Sequence, residues 1–196
     1  MGEVYVDMSM SLDGFIADPN DDVDPLHTWM YGLKAFREPH GEAGGTTDRD
    51  SEILDEAMKR SGASILGRRM YELAEGWGDN PPFHEPVFVL THEAREPLVK
   101  AGGTTFTFVT DGVESAMTQA RDAAGGRDIS VRGGANTVQQ FLAAGLVDEI
   151  QIHIVPILLG RGIRLFDEVE WGPLKLEATR VVESPAVTHL RYRVVR

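Results

Sequence analysis

The sequence predicts an α/β protein on a mixed, mostly parallel sheet that ends in an antiparallel hairpin. Three observations carry this reading. Short β-rich runs alternate with segments of helical periodicity from residue 3 to residue 155, the pattern that builds parallel βαβ units. Glycines or prolines punctuate most of the segments. Two further β-rich runs, 174–182 and 187–195, flank Glu183-Ser184-Pro185-Ala186, and sheets of this class often carry such an antiparallel edge. The chain has 196 residues, within the ~100–200 usual for one domain. No repeat, low-complexity tract or linker divides it, so 1–196 reads as a single domain.

The elements follow in order. Residues 3–9 alternate and form a strand. Residues 18–28 and 38–47 are rich in turn formers and acids and read as loops. A helix starts near Asp50, with Ile53, Leu54, Ala57 and Met58 on one face and Asp48 or Asp50 as its cap. Ser64–Gly67 is a short buried strand, and Arg68 opens a helix with Met70, Leu73, Ala74 and Trp77 at i, i+3, i+4 and i+7. Strands follow at 87–90 and 104–109. Asp111 and Glu114 suggest a capping box for a helix at 113–123, ended by Gly125-Gly126. A strand at 129–131 turns at Gly133-Gly134 into a helix with Val138, Phe141 and Leu142 on its apolar face, closed by Gly145. A long strand at 147–155 precedes the hairpin.

Composition excludes several functions. Apolar residues are 42% and charged residues 26% of the chain, an ordinary globular balance. The net charge is -12, the opposite of a nucleic-acid footprint, although a few local arginines can still hold a small anion. There is no cysteine, which excludes disulfides, a thiol nucleophile and thiolate metal sites. Acids at positions 3 and 7 and the lack of a long apolar run point to a cytoplasmic protein without signal peptide or membrane span.

Two turns have chemistry to offer. Arg132-Gly133-Gly134-Ala135-Asn136-Thr137 sits between a strand and a helix. Glycines admit a close ligand, and the free N–H groups of a helix start suit a phosphate; a plain tight turn fits the same residues. Gly67-Arg68-Arg69 repeats the arrangement with two cations in the first helical turn. Cations there oppose the helix dipole unless an anion, or nearby acids of the chain, balance them. Thr91-His92 ends a strand, where open α/β sheets bind ligands. Leu159-Gly160-Arg161-Gly162 is either an anion nest or a flexible turn. The acids of 18–24 lack the Gly and closing Glu of a calcium loop, and no metal site is expected. G-x-G-x-x-G, Walker A, H-E-x-x-H and G-x-S-x-G patterns are absent.

Taken in order, Ser11-Leu-Asp-Gly-Phe-Ile-Ala17, Ile65-Leu-Gly-Arg-Arg-Met-Tyr-Glu72, Val89-Leu-Thr-His92, Arg132-Gly-Gly-Ala-Asn-Thr137, Gly145-Leu-Val-Asp-Glu-Ile150 and Leu158-Leu-Gly-Arg-Gly162 with Arg164-Leu-Phe166 carry a family resemblance. The chain resembles the dihydrofolate-reductase-like superfamily, nearest to the reductase domain of the bifunctional riboflavin-biosynthesis deaminase/reductase and its free-standing bacterial relatives. The resemblance implies a three-layer α/β/α fold that binds NADPH. It implies that Gly67, Arg68 and Arg69 hold adenosine-side phosphate, with Thr91 and His92 near the 2′-phosphate or adenine. Gly133, Gly134, Ala135, Asn136 and Thr137 would cradle pyrophosphate, and Ser9, Ile16 and Ala17 would border the nicotinamide. Met70 stands where the family pattern has Thr, so one hydroxyl contact to phosphate is missing.

The implied reaction is hydride transfer to a pyrimidine- or pteridine-like heterocycle, with 5-amino-6-(5-phosphoribosylamino)uracil a possible substrate. A carboxylate early in the helix before the Gly-Arg strand would be the proton donor or orienter: Asp50, then Asp48 and Glu52. Helix capping explains these acids equally well. A non-catalytic nucleotide-binding module on the same fold is the alternative function. A homodimer through the hairpin and the apolar strand 150–159 is the expected assembly.

Overall fold

A computed structural model describes residues 2–167 and 172–196. The chain runs β1 (Val4–Ser11), β2 (Phe15–Ala17), α1 (Asp24–His27), α2 (Lys34–Arg37), α3 (Arg49–Arg60), β3 (Ser61–Gly67), α4 (Arg68–Leu73), β4 (Pro86–Leu90), β5 (Leu98–Val99), β6 (Thr105–Val109), α5 (Val113–Ala124), β7 (Asp128–Gly133), α6 (Ala135–Ala143), β8 (Glu149–Val155), β9 (Ile163–Arg164), β10 (Lys175–Glu183) and β11 (Thr188–Val195). Nine strands form one sheet in the order β10-β11-β8-β1-β7-β3-β4-β6-β5. The six strands from β8 to β6 are parallel, and β10, β11 and β5 are antiparallel edges.

Side chains alternate across this sheet and define two faces. On one face Val4, Val6, Ile65 and Val131 pack against α5 and α6 through Ala116, Met117, Ala120, Val138 and Phe141. On the other, Leu66, Val87, Val89 and Phe106 meet Met70 and Tyr71 of α4, and Tyr5 donates its hydroxyl to Ala57 O of α3 at 2.7 Å. Helices therefore cover both faces, the three-layer arrangement of the dihydrofolate-reductase-like fold. A smaller core of Leu26, Trp29, Leu33, Val155 and Val187 lies under α1 and α2.

Several elements differ from the sequence expectation. The first strand runs two residues beyond 9. The loop at 18–28 contains α1, which a proline near its start favours. The helix opened by Arg68 stops at Leu73, because Glu75, Gly76 and Trp77 take left-handed φ values of 48°, 61° and 55°. Trp77 thus reaches its place on Phe83 and Phe106 from outside the helix, and Leu73 stays exposed. The capping box at α5 does not form: Gly112 is the cap residue, and Asp111 accepts from Ser115 Oγ at 3.0 Å. Strands β2, β5 and β9 are too short to announce themselves by periodicity.

Candidate functional site

Because β1, β3, β4, β7 and β8 are parallel, their C-terminal ends share one edge of the sheet. The chain leaves β1, builds β3, β4 and β6 on one side, then returns to insert β7 between β1 and β3. Such reversals open the crevice in which open α/β sheets bind ligands.

The two glycine turns converge there. A Cβ at Gly67 would sit 2.5 Å from Thr137 Oγ1 and 3.8 Å from Gly133 O and Gly134 N. Gly133 has φ +111°, and its Cβ would meet Met8 Cε at 3.2 Å and Met70 Sδ at 3.8 Å. The Gly133–Gly134 bond is cis. A Cβ at Gly134 would project into open space. Gly134 caps α6 without any side-chain hydrogen bond, so among the described residues no side chain caps the first-turn N–H groups of this nine-residue helix, which suit a ligand or water. Ala135 and Thr137 are buried, and Asn136 Oδ1 accepts from Gln140.

The arginines are held by the chain's own acids. Arg68 donates to both carboxylate oxygens of Glu72, at 2.9 and 3.2 Å. Arg95 donates to Glu72 and Glu93 at 3.1 and 3.0 Å. These four groups and exposed His92 make a charged rim beyond β4. Arg69 pairs with Asp21 through both of its carboxylate oxygens, which ties the loop after β2 to the start of α4. Thr91 is buried, and its Oγ1 accepts from Glu93 N at 3.0 Å.

The Leu159–Gly162 turn is a nest already filled. Asp13 accepts from Leu159 N at 3.1 Å and Gly160 N at 2.7 Å, and from Ser11 Oγ at 2.6 Å. Arg164 closes the contact by donating to Asp13 O at 3.1 Å, and β2 pairs with β9. Ile16 and Ala17 of β2 are buried, Ile16 in the main core.

Asp48 and Asp50, adjacent candidates in sequence, separate in space. Asp48 caps α3 by accepting from Ser51 N at 3.0 Å. Asp50 is buried and accepts from Ser184 Oγ at 3.0 Å and from His189 Nε2 at 3.0 Å. His189 Nδ1 lies 2.6 Å from His153 Nδ1, and His153 Nε2 lies 2.7 Å from Asp7 Oδ1. Trp29 covers both imidazoles, with ring centroids 5.0 and 5.4 Å away, and donates Nε1–H to Ser9 Oγ at 3.0 Å. Burial works to raise the pKa of Asp7, but the His153 charge and hydrogen bond outweigh it and hold this carboxyl below the ordinary range. Burial lowers His189, more than its bond to Asp50 raises it.

Asp7, His153, His189, Trp29 and Arg95 were not among the residues singled out from the sequence. A signal for the first three exists. Tyr5, Asp7 and Ser9 on β1, Glu149, Gln151 and His153 on β8, and His189, Arg191 and Arg193 on β11 are polar at every second position. The register aligns Ser9, His153 and His189 in one row and Asp7, Gln151 and Arg191 in the next. Central strands with one polar face must hydrogen-bond across it.

With this geometry, comparison with known proteins is decisive about family. The RibD C-terminal domain family matches residues 3–190. The chain belongs to that family. Among curated relatives, the uncharacterised protein YyaP of Bacillus subtilis (strain 168) is 26% identical over 195 residues, covering 94% of this chain and 91% of its own. YwjB of the same organism is 27% identical over 177 residues, 88% of each chain. Among solved structures, a provisionally named riboflavin biosynthesis protein from Shewanella sp. PV-4 aligns with a TM-score of 0.73 at 25% identity, covering all of both chains. A dihydrofolate reductase from Enterococcus faecalis complexed with NADP(H) aligns over 100% of this chain and 98% of its own, at TM-score 0.60 and 17% identity, a likeness of fold. The same holds for the Thermotoga maritima diaminohydroxyphosphoribosylaminopyrimidine deaminase/5-amino-6-(5-phosphoribosylamino)uracil reductase, TM-score 0.64 and 16% identity, of which the match covers 57%. Among the described residues no cluster of His, Asp or Glu is arranged to hold a metal, and no helix is long and apolar enough to cross a membrane.

Proposed function

We propose that this member of the RibD C-terminal domain family is an NADPH-dependent reductase of a pyrimidine- or pteridine-like heterocycle, with 5-amino-6-(5-phosphoribosylamino)uracil as the first substrate to test. The observation that carries the reading is the uncapped N-terminus of α6 behind the Gly133-Gly134 turn, set against Gly67 at the strand ends. Its free N–H groups and partial positive charge suit a pyrophosphate, and the open space at Gly134 admits it.

The residues present fit a dinucleotide. Ala135, Asn136 and Thr137 would take the pyrophosphate; Gly67, Arg68 and Arg69, with Thr91 and His92 beyond them, would take the adenosine end. Ser9, Ile16 and Ala17 would line the nicotinamide end. When bound, the cofactor supplies hydride from nicotinamide C4. The chain orients both partners and excludes water, and Asp50 supplies the proton that accompanies hydride to a C=N or C=O bond. Asp48 keeps its capping role. A homodimer in the cytoplasm completes the proposal; its support is the apolar surface of edge strand β10, where Leu176 and Val181 are exposed. Light scattering should give twice 21.6 kDa, and a monomer mass would refute the dimer.

The test is NADPH oxidation against a panel of pyrimidines and pteridines. Turnover lost in Arg68→Ala and Gly133→Val supports the reductase. NADPH binding without turnover on any of them favours a non-catalytic nucleotide-binding module.

A further inference from the structure

Asp7, His153, His189 and Asp50 come from β1, β8, β11 and α3, and three consecutive hydrogen bonds link them at 2.7, 2.6 and 3.0 Å. His153 and His189 are only 2% and 3% exposed, so water does not complete their bonding. Each of the three contacts needs one proton between its heavy atoms. Two neutral imidazoles carry only one N–H each. If both N–H groups point outward to the carboxylates, two nitrogen lone pairs face each other across the central 2.6 Å. The chain closes only with a third proton.

The surroundings place that proton. Asp7 Oδ2 accepts from Gln151 Nε2 at 2.9 Å, Gln151 Oε1 accepts from Arg191 Nε at 2.7 Å, and Arg132 of β7 adds positive charge near Asp7. Asp7 is thus held as the anion. At the far end, Asp50 meets the Ser184 hydroxyl and His189 alone among the described residues. Burial, with a smaller contribution from positive charge on nearby His153, holds His27 of α1 neutral, its pKa lowered to about 4. Either imidazole can carry the third proton with every contact satisfied, and the anion held at Asp7 favours His153, which as the imidazolium donates from both nitrogens. His189 is neutral, accepting at Nδ1 and donating from Nε2 to Asp50.

We propose that the His153–His189 pair stores one proton and relays it to Asp50, which delivers it to the substrate as hydride arrives. This rests on the reductase reading above. The relay balances. The His153 Nδ1–H bond breaks as His189 Nδ1–H forms, and the His189 Nε2–H bond breaks as Asp50 Oδ1–H forms. One imidazolium, one neutral imidazole and two carboxylates become two neutral imidazoles, one carboxylate and one carboxylic acid, at unchanged total charge. Asp50 then gives its proton to the nitrogen or oxygen of the double bond whose carbon accepts hydride. The reduced nicotinamide is oxidised, the double bond is reduced, and one solvent proton recharges the chain per turnover. His153 and His189 are positioning residues, since they act through Asp50.

The first test needs no substrate. Long-range proton–nitrogen spectra of protein labelled with nitrogen-15 in histidine count the protons on the four ring nitrogens. Three at pH 7 is the expected result, one of them shared between the two Nδ1 atoms. Asp7→Asn should reduce the count to two. Two protons in the wild-type protein would overturn the proposal. The second test is single-turnover NADPH oxidation with 5-amino-6-(5-phosphoribosylamino)uracil or another substrate found in the panel. His189→Gln should slow hydride transfer by about 10²-fold or more, and most at high pH, with NADPH binding unchanged. Asp50→Asn, which keeps the shape and an acceptor for His189, should retain three protons and lose the rate. Wild-type rates and pH profiles in both variants would overturn delivery through the chain. A protein with three protons and no NADPH binding refutes the reductase reading and delivery with it. NADPH binding with only two protons refutes the relay alone.

Discussion

Replacing Gly67 with alanine adds a single methyl at the point where the two glycine turns meet. Gly67 has φ -85° and ψ 155°, which any residue adopts, so the backbone imposes no strain and the effect is crowding alone. The new Cβ would lie 2.5 Å from Thr137 Oγ1, about an ångström inside ordinary contact. Thr137 is buried in the first turn of α6, and its branched Cβ stiffens the side chain. Overpacking of this kind costs about 1–3 kcal/mol. At roughly 2–4 °C per kcal/mol for a chain of this size, Tm should fall by roughly 2–12 °C. NADPH affinity should fall as well, because relief moves the α6 N-terminus away from β3. Calorimetry and a fluorescence titration measure the two effects. Gly67→Ala combined with Thr137→Ala should be more stable than the sum of the single changes by about 1 kcal/mol, since the clashing oxygen is gone. An unchanged Tm with additive double-mutant energetics would refute the juxtaposition of β3 and α6.

Three further outcomes follow from particular contacts. Among the described residues Arg68→Ala breaks an exposed pair with Glu72 alone, so stability should move by less than about 0.5 kcal/mol, while the NADPH dissociation constant should rise about 10–100-fold for a lost charged hydrogen bond. Arg60 donates to Asp128 at 2.7 Å and Glu149 at 2.5 Å and lies over the Tyr5 ring; Arg60→Met leaves Asp128 with the Glu3 N–H and Glu149 with Arg191 at 3.6 Å, and should cost about 1.5–3 kcal/mol in urea unfolding. Burial lowers the His27 pKa from 6.5 to about 4 against the pull of Asp24. The unfolded chain therefore binds this proton first, so stability is full above about pH 6.5 and falls by about 3 kcal/mol as the pH drops to about 4. The slope of unfolding free energy against pH should be shallower in His27→Gln.

The alternation of strands and helices, the terminal hairpin and the glycine turns at the strand ends were legible because each is a local signal. Period, cap and turn chemistry act over a few residues. The capping role of Asp48 was legible for the same reason. The partners of Asp50 were not, because His189 lies 139 residues further along the chain. Register across β1, β8 and β11 brings the histidines together, and register is a property of the folded sheet. Arg69 offered two balances for its charge, a ligand or an acid of the chain, and only the placement of the loop after β2 reveals Asp21 as its partner. The Leu159–Gly162 turn had the N–H groups of a nest; its anion is Asp13, 146 residues away.

The central claim is that the strand ends hold the adenosine phosphates and pyrophosphate of NADPH. The most direct measurement is thermal unfolding with about 1 mM NADPH and, separately, NADH. A ligand at ~100 times its dissociation constant stabilises the native state by roughly 2.7 kcal/mol, on the order of 5–10 °C here. A shift of that size with NADPH and a much smaller one with NADH is the expected result. No shift with either cofactor would contradict the account, and would leave the Gly133-Gly134 and Gly67-Arg68-Arg69 turns with a structural role alone.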